Sequence, residues 1–450
     1  MSEALIAKYG EARLPRYTSY PTAPAFAESI GPDHYAPALE EAADAGPVSI
    51  YLHIPFCRAM CWYCGCHTTI TLQDAPIRNY LEVMSREIML VQKAAGGRIP
   101  VKSIHFGGGT PTILAPNEFS LLMERLRSTF RFEQDASVAV EIDPRTLTSD
   151  MIDVLHDNGI DRVSLGVQSF DPVVQKAINR IQTFNETKDA VTALRSKGVK
   201  STNFDLVYGL PFQTVASCLE TARMALELQP ERFAVFGYAH VPSFKKHQRL
   251  IDDATLPNAD QRNAQAEAIA AELVSAGYIR IGLDHFALPQ DGLAIASAKG
   301  KLHRNFQGYT TDDCENVIGL GASAISRLSS GYYQNHVALG RYSDLVSTGN
   351  LPTAKGYLLS KEDKLRGTII ERLMCDFEAD VGKLSRAAGY EDSFLLERNE
   401  RLSSLIADGV VTVEDGRLIV IQDARFMVRA VASAFDVYFN ASRRTFSKAA

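Results

Sequence analysis

Four of the seven cysteines in this 450-residue chain lie within ten residues, in the segment CRAMCWYCGC at 57–66. Cys57, Cys61 and Cys64 follow the spacing C-x3-C-x2-C, shortly after the apolar run SIYLHI at 49–54. A zinc site usually has a second ligand pair about 12–20 residues further along, and no such pair follows here. Three thiolates in one tight loop match three corners of a [4Fe–4S] cluster and leave its fourth iron open. The spacing therefore favours a catalytic iron–sulfur centre over a structural zinc ion.

The N-terminal sequence and the composition indicate the cellular location of the protein and the partners it is expected not to bind. The N-terminal sequence has no apolar segment of signal-peptide type, and no run of about 18 apolar residues could span a bilayer. We therefore expect a cytoplasmic protein, in which thiols stay reduced and a disulfide in the loop is disfavoured. The isolated Cys218, Cys314 and Cys375 are predicted to be buried thiols. A net charge of −6 argues against non-specific nucleic-acid binding.

An alternation of apolar strands and periodic helices must position the cysteine loop. The predicted strands cover 49–54, 101–106, 137–143, 162–168, 201–211 and 232–239. Six strand-then-helix steps predict a parallel sheet with helical crossovers, either a barrel or a doubly wound sheet. Both architectures place their sites at the carboxyl ends of the strands. A helix over 258–276 and a strand over 279–287 are predicted to follow.

Further candidate residues collect at the same edge of this predicted sheet. The run GGGTPT at 107–112 follows the second strand, where its glycines would let a ligand approach the backbone, although a plain tight turn is the alternative. Glu141 and Asp205 lie in otherwise apolar strands, where an unpaired carboxylate is costly to bury. Ligand hydroxyls or amines would satisfy them, and so would an ion pair with a helix arginine. Gln168 is either a ligand contact or a hydrogen-bonding residue of the core.

Three regions are expected along the chain. Residues 1–45 form an irregular N-terminal arm, because they contain three prolines at 15, 21 and 24. Residues 46–350 form the α/β domain that holds loop 57–66. Residues 360–450 form a small, mainly helical, winged-helix-like domain, since Asp415-Gly416 between two apolar runs predicts a β-hairpin flanked by helices.

The cysteine spacing after the first strand of a β/α barrel resembles the radical S-adenosylmethionine (SAM) superfamily, and the aromatic Tyr63 before the third cysteine fits it. The resemblance implies an incomplete (β/α) barrel of radical SAM type, with the arm and the C-terminal domain attached. In that superfamily, SAM chelates the open iron, and an electron from the reduced cluster cleaves it to a 5′-deoxyadenosyl radical.

Within the superfamily, nearly the whole chain is similar to the oxygen-independent coproporphyrinogen III oxidases. These enzymes turn two propionate side chains of coproporphyrinogen III into the vinyl groups of protoporphyrinogen IX, with loss of CO2. The matching segments are PRYTSYPTA (15–23), YLHIPFC (51–57), the cysteine loop up to Cys66, GGGTPT (107–112), VEIDPR (140–145), GVQSF (166–170), NFDLVYGLP (203–211), YAHVP (238–242), DHFA (284–287) and HRNFQGYTT (303–311).

This resemblance implies a role for each residue that matches. Three cysteines would hold the cluster: Cys57, Cys61 and Cys64. The SAM on the cluster would be contacted by Tyr51, Gly108, Glu141 and Ile325. A second SAM would be lined by Tyr63, Gly109, Thr110, Gln168, Arg180, Asp205 and Ala239. His53 and Cys66 are candidate catalytic residues beside the cluster, with a hydrogen-bonded core histidine and a buried thiol as alternatives. For Arg180, the alternative is an exposed arginine on a helix surface.

The resemblance also implies coproporphyrinogen III as substrate, two SAM molecules per chain, and a small electron-donor protein of flavodoxin or ferredoxin type. We expect a monomer with no membrane or nucleic-acid partner. Two other functions stay open, a haem-binding chaperone and a two-SAM methyltransferase or cyclopropanase. Arg16, Lys301 and Arg304 are candidate ligands of the propionates. The segments 15–20 and 301–309 are therefore predicted to meet over the mouth of the cluster site.

Overall fold

The computed structural model describes residues 5, 8–9 and 14–439, and its elements are numbered here in chain order. The strands are β1 Val48–Ile54, β2 Phe56–Cys57, β3 Thr69–Ile70, β4 Pro100–Gly108, β5 Arg131–Ile142, β6 Arg162–Gln168, β7 Ser201–Tyr208, β8 Arg232–Gly237, β9 Ile279–Ile281, β10 His285–Ala287, β11 His303–Asn305, β12 Gly308–Thr310, β13 Val317–Leu320, β14 Ile325–Leu328, β15 Gly331–Asn335, β16 Thr353–Leu358, β17 Glu378–Asp380, β18 Val411–Glu414 and β19 Arg417–Val420.

The helices of the described residues are α1 Pro32–Ala45, α2 Ala75–Ala94, α3 Pro116–Thr129, α4 Ser149–Asp157, α5 Pro172–Ala177, α6 Phe184–Ser196, α7 Val215–Glu227, α8 Ala259–Ser275, α9 Gly292–Ala298, α10 Leu339–Ser347, α11 Lys361–Asp376, α12 Val381–Ala387, α13 Glu400–Ala407 and α14 Val428–Ser433. Among them, none has the length and apolar character needed to cross a bilayer.

One large sheet forms the centre of the molecule. Its strands β1, β4, β5, β6, β7 and β8 are parallel and lie side by side in chain order. A doubly wound sheet would reverse this order at a switch point, so the arrangement is that of a barrel. Antiparallel β10 and β9 continue beyond β8, and on the other side β13 pairs parallel with β1 before β14, β15 and β16. The sheet ends at β9 and β16 without closing, which confirms the predicted incomplete barrel.

The helices cover the outer face of this sheet through one apolar stripe each. In α2 the buried residues Ile77, Leu81, Met84, Ile88 and Val91 recur every three or four positions, so they face one side. They join the main hydrophobic cluster, which also contains the helix-facing residues of the parallel strands. Burying each such side chain stabilises the fold by roughly 1.5–3 kcal/mol. This rigid frame holds the strand ends where the site residues lie.

Part of the N-terminal arm is helical, so the expectation of irregular structure over 1–45 is wrong for α1. Pro32 stands at the first turn of α1, where a missing N–H costs nothing. Tyr35, Leu39 and Ala42 follow at helical spacing and are buried in the main cluster. The tertiary packing of this stripe therefore outweighs Pro37 inside the helix.

The expected strand over 279–287 is instead a tight hairpin. β9 and β10 pair antiparallel, with Ile281 opposite His285. Gly282 turns the chain at φ +55, and a side chain there would collide with the ring of Tyr309. Because the flanking residues are apolar, the turn is hidden in a sequence that reads as one continuous strand.

The C-terminal region forms a second hydrophobic cluster around the three-stranded sheet β17–β19–β18. The predicted hairpin is present, with Asp415 and Gly416 both at positive φ between β18 and β19. This agrees with the turn geometry that an Asp-Gly pair favours. Tyr17 and Tyr20 of the arm are buried in this cluster, so the arm and the C-terminal region share one core.

Candidate active site

A cavity of about 1050 Å³ opens at the carboxyl ends of the parallel strands. Thirteen of the predicted site residues line it: Cys57, Cys61, Tyr63, Cys64, Cys66, Gly108, Gly109, Thr110, Glu141, Gln168, Arg180, Asp205 and Ala239. They come from six different strands and the loops after them. The fold thus brings together residues that are up to 182 positions apart, between 57 and 239, in one concave space.

The cysteine loop is fixed by hydrogen bonds from a distant segment. Residues 244–250, FKKHQRL, follow the sixth parallel strand and lie over the loop. Three of their side chains donate to backbone carbonyls of the loop: Lys245 to Cys66 (2.9 Å), His247 to Cys64 (2.8 Å) and Gln248 to Tyr63 (3.0 Å). None of these three residues was predicted as part of the site. The cluster of basic residues after a predicted strand was the one feature of the sequence that could have indicated them.

The sulfur atoms of the loop fit an iron–sulfur cluster better than a single metal ion. A Zn²⁺ ion holds thiolates at about 2.3 Å, so its ligand sulfurs lie roughly 4 Å apart. Among the described residues, the sulfurs of Cys57, Cys61 and Cys64 do not form a group of atoms within 4.8 Å of one another. The wider spacing suits ligands of separate corners of a cluster.

Electrostatics at these sulfurs also fit a cationic group. Burial raises the pKa of the Cys57 thiol to about 11, so its thiolate needs a nearby positive centre, and Thr110 Oγ1 lies 3.3 Å from it. The contact with Cys66 lowers the pKa of Cys64, and the Cys66 N–H donates to its sulfur at 3.4 Å. The lowered pKa of Cys64 favours its thiolate, whereas Cys57 needs a bound cation to become one.

The glycine run at 107–112 acts through its backbone and is more than a tight turn. The Gly109 N–H donates to the Ile54 carbonyl at 2.8 Å, and the Thr110 N–H donates to the Phe56 carbonyl at 2.8 Å. A Cβ on Gly109 would lie 2.8 Å from the Phe56 nitrogen, closer than real contacts allow. Glycine at this position therefore allows the residues after β4 to form hydrogen bonds with the chain directly before Cys57.

Glu141 faces the cavity and accepts hydrogen bonds from a histidine ring and from a backbone N–H. Its carboxylate accepts from the His105 ring at 3.2 Å and from the Gly108 N–H at 3.1 Å. Burial works to raise the pKa of Glu141, but the His105 ring and the Gly108 N–H hold it below its ordinary value. Within the described residues, the arginine ion pair considered for it is not formed. Its ionised carboxylate is available to a cation or an amine.

Asp205 is also held without an arginine. Ser164 Oγ donates to its carboxylate at 3.1 Å and Asn203 Nδ2 donates at 2.8 Å. Burial, and next the charge of Glu141, raise the pKa of Asp205 to about 7. A carboxyl group poised in this way inside a cavity is typical of a ligand-binding or functional position. Ser164 and Asn203 are further site residues that the sequence did not reveal.

Arg180 is buried at 6% exposure, which excludes the alternative of a surface arginine. Its guanidinium pairs with Asp143 at 3.2 Å, donates to the Gly166 carbonyl at 2.7 Å, and lies 3.7 Å from the Cys61 sulfur. Arg145 pairs with the same Asp143 at 2.6 Å. This Arg–Asp–Arg group was not predicted, although VEIDPR at 140–145 carried two of its members.

Three predicted residues lie beside the cavity rather than in its lining. Tyr51 Oη lies 3.0 Å from His53 Nδ1, and His53 Nε2 lies 3.0 Å from the His67 carbonyl. Burial lowers the pKa of His53 to about 4, so this ring is neutral near pH 7. Such contacts match the alternative of a hydrogen-bonded core histidine, and a catalytic role for His53 stays a prediction. Ile325 lies in β14, with its backbone packed on Gly319.

Comparisons with known proteins agree with this geometry. Residues 51–225 match the family model of the radical SAM superfamily. An oxygen-independent coproporphyrinogen III oxidase of Bradyrhizobium diazoefficiens is 53% identical over 449 residues, with 100% of both chains covered. One of Pseudomonas aeruginosa is 40% identical over 96% of this chain and 95% of that protein.

The chain belongs to the oxygen-independent coproporphyrinogen III oxidase family. Among solved structures, the coproporphyrinogen III oxidase of Escherichia coli, described as a radical SAM enzyme, has a TM-score of 0.91 at 37% identity. The match covers 97% of this chain and 99% of that one. Family membership confirms the resemblance and the radical SAM fold that it implied.

Proposed function

We propose that this chain converts coproporphyrinogen III to protoporphyrinogen IX without oxygen, as a step of haem synthesis. The observation that carries the proposal is the single cavity lined by Cys57, Cys61, Cys64 and by Arg16 of the arm, in a chain whose relatives bear this activity in their names. The direct experiment incubates reduced, reconstituted protein with coproporphyrinogen III and SAM under anaerobic conditions. Protoporphyrin fluorescence after oxidation is the expected result, and SAM cleavage without any protoporphyrin would contradict the proposal.

We infer that the cavity holds a [4Fe–4S] cluster on Cys57, Cys61 and Cys64, together with two SAM molecules. Its volume of about 1050 Å³ is at the upper limit of the roughly 300–1,000 Å³ found for small-ligand sites. When bound, these groups supply one-electron chemistry that removes a hydrogen atom from an unactivated carbon. The protein then has to orient the substrate and keep water from the reacting carbon.

The residues of the chain divide this work between two sides of the cavity. Glu141 and the Gly108 backbone offer an ionised carboxylate and a cleft beside the cysteine loop, which suit an amine. Asp205, with Ser164 and Asn203 behind it, offers acceptors for ribose hydroxyl groups. Arg180 is held by Asp143 and offers a fixed positive edge for a carboxylate. Two SAM molecules side by side would provide binding partners for the residues on both sides of the cavity.

Asp205→Asn is expected to lower turnover on the order of ten- to a hundredfold at limiting SAM, because an acceptor for ligand hydroxyls is lost. In the absence of ligand, the same substitution should raise the stability of the protein. Since the folded-state pKa of Asp205 is about 7, against an ordinary 3.8, the folded state binds the extra proton and wild-type stability falls as pH rises through 7. The melting temperature of the variant should therefore rise relative to that of the wild type as pH increases from about 4 to about 7, with a constant difference above that.

The matched control is Asp161→Asn, because Asp161 accepts from Ser137 and the Val138 N–H outside the cavity. It should lose stability and keep its affinity for SAM. If Asp205→Asn unfolds or leaves turnover unchanged, Asp205 is a structural residue and the assignment to a SAM site is wrong.

We infer further that an acidic electron-carrier protein docks over residues 244–250. Lys246 and Arg249 are exposed there, beside exposed Phe244 and Leu250, and the same segment bonds to the cysteine loop. A donor on this surface would lie next to the cluster cysteines, and opposite charges speed such encounters. A carrier of flavodoxin or ferredoxin type fits this chemistry. The monomeric state and the cytoplasmic location stay predictions.

Reversing two charges tests this surface. The double variant Lys246→Glu, Arg249→Glu is expected to slow flavodoxin-driven turnover on the order of tenfold or more at low salt. Turnover driven by dithionite, a small reductant that needs no docking, should stay the same. Lys93→Glu, at the exposed end of α2, is the control. Equal loss with both reductants would show damage to the site instead of lost docking.

A further inference from the structure

A second, smaller cavity adjoins the main one. It has a volume of about 80 Å³, and both cavities are lined by Arg16, Phe236, Gly237 and Tyr238. Its lining contains five arginines: Arg16, Arg262, Arg280, Arg304 and Arg429. Against these stand two carboxylates, those of Glu267 and Asp284. The small cavity therefore has a large excess of positive charge.

The two carboxylates already have partners. Asp284 accepts from the His285 ring at 2.7 Å, and Arg304 lies 3.9 Å from the same oxygen. Glu267 pairs with Arg280 at 3.4 Å on the outer side. The His285 hydrogen bond and the charges of Arg304 and Arg16 hold the pKa of Asp284 below its ordinary value in spite of its burial. Asp284 is therefore ionised, but its single negative charge does not balance the guanidinium groups around it.

Arg304 is the clearest sign of a missing anion. Only 7% of the residue is exposed, and its guanidinium lies 4.3 Å from the centroid of the Tyr309 ring. Among the described residues, none forms a hydrogen bond with its Nε or Nη1 atom. Leaving a buried charged donor without an acceptor costs more than the bond itself would contribute. A ligand carboxylate in the cavity would remove this cost.

The C-terminal region fixes the arm so that Arg16 stands between the two cavities. Arg429 of α14 donates to the Pro15 carbonyl at 2.9 Å and to the Leu14 carbonyl. Arg16 in turn donates to the Gly237 carbonyl at 3.1 Å, at the end of β8. Burial and the charges of Arg16 and Arg304 lower the pKa of Arg429 to about 10, which shows how closely these cations gather.

We propose that this small cavity, the arginine annex, binds the carboxylates of the two substrate propionates that are not converted. The annex is formed by Arg16, Arg262, Arg304 and Arg429. At about 80 Å³ it admits carboxylate groups but no macrocycle, so the ring must lie in the main cavity with the reacting propionates towards the cysteines. Phe236, shared by both linings, supplies an apolar wall at the boundary. The inference rests on the proposed function, because it takes a porphyrinogen as the occupant.

The annex also revises the sequence-based candidates for propionate binding. Arg16 and Arg304 do meet, since they line the same cavity. Lys301 is exposed and lies outside both linings, and His303 pairs with Glu371 at 3.3 Å. Arg262 and Arg429 come from α8 and α14, which are distant in sequence from both predicted segments.

Binding of stable porphyrins tests the annex apart from turnover. Coproporphyrin III and protoporphyrin IX are the oxidised forms of substrate and product, and both retain the two unconverted propionates. Arg16→Gln and Arg304→Gln should each weaken the binding of both porphyrins on the order of ten- to a hundredfold, measured by fluorescence titration. Arg16→Lys should recover part of the loss. Arg125→Gln, which removes an exposed arginine of α3, should bind both as wild type does.

Cluster content and melting temperature should be unchanged in Arg16→Gln, because the Arg16 side chain is exposed. Wild-type affinity in both annex variants would overturn the proposal. Weakened binding of coproporphyrin III alone would overturn it too, since the annex would then hold the propionates that react. Failure of the proposed function looks different: wild-type protein would bind coproporphyrin III through the annex but form no protoporphyrinogen.

Discussion

Replacing Cys61 with serine is expected to leave the protein without a [4Fe–4S] cluster and without detectable protoporphyrinogen formation. Cys61 is buried, with its sulfur 3.7 Å from Arg180 and 3.8 Å from Arg145. A serine hydroxyl stays protonated there and is a poor ligand for iron. Iron and sulfide analysis with absorbance spectra after anaerobic reconstitution gives the measurement. The same result is expected for Cys57→Ser and Cys64→Ser.

Cys66→Ser is the matched control within the same loop. The Cys66 N–H donates to the Cys64 sulfur at 3.4 Å, and this backbone contact survives the substitution. The variant should therefore still bind about four iron and four sulfide per chain. Loss of iron from Cys66→Ser would contradict the three-ligand assignment. Retention of iron by Cys61→Ser would contradict it as well.

Deleting residues 1–25 is expected to abolish decarboxylation while the reconstituted cluster stays bound. The deletion removes Arg16, which lines both cavities, and so removes one wall of the substrate site. The cysteine loop is held instead by β4 and residues 244–250, which the deletion leaves in place. Porphyrin analysis of anaerobic reactions measures turnover, and the absorbance of the cluster reports on the loop.

The deletion removes both Arg16 and the buried Tyr17. Tyr17→Phe tests whether loss of a contact in the C-terminal core, with Arg16 still present, affects turnover. The tyrosine is buried, and its hydroxyl donates to Asp436 at 3.1 Å. Phenylalanine keeps the ring, so the variant should lose about 1 kcal/mol of stability and remain active. A truncated enzyme that makes protoporphyrinogen at the normal rate would overturn the role of the arm. If the truncated chain unfolds, Arg16→Gln tests the same wall within a folded protein.

The sequence alone determined features that contiguous residues specify. The C-x3-C-x2-C spacing predicted a cluster loop because three cysteines so close in sequence can bind one group without help from the rest of the fold. Short apolar runs located the six parallel strands and period-3.6 patterns located their helices, with differences of a few residues at the ends. The Asp415-Gly416 turn was predicted because its geometry depends on those two residues and requires positive φ.

Only the tertiary structure decided which distant residues meet. Hydrophobic periodicity shows which face of an element is buried but not what it is buried against, so the partners of Asp205 and Arg180 could not be deduced. The helix α1 was missed because its stability comes from packing of Tyr35 and Leu39 on the barrel, while Pro37 inside it argues against a helix locally. The arginine annex joins Arg16 to Arg429, which bonds a carbonyl 414 positions away, and only the complete fold brings such residues together.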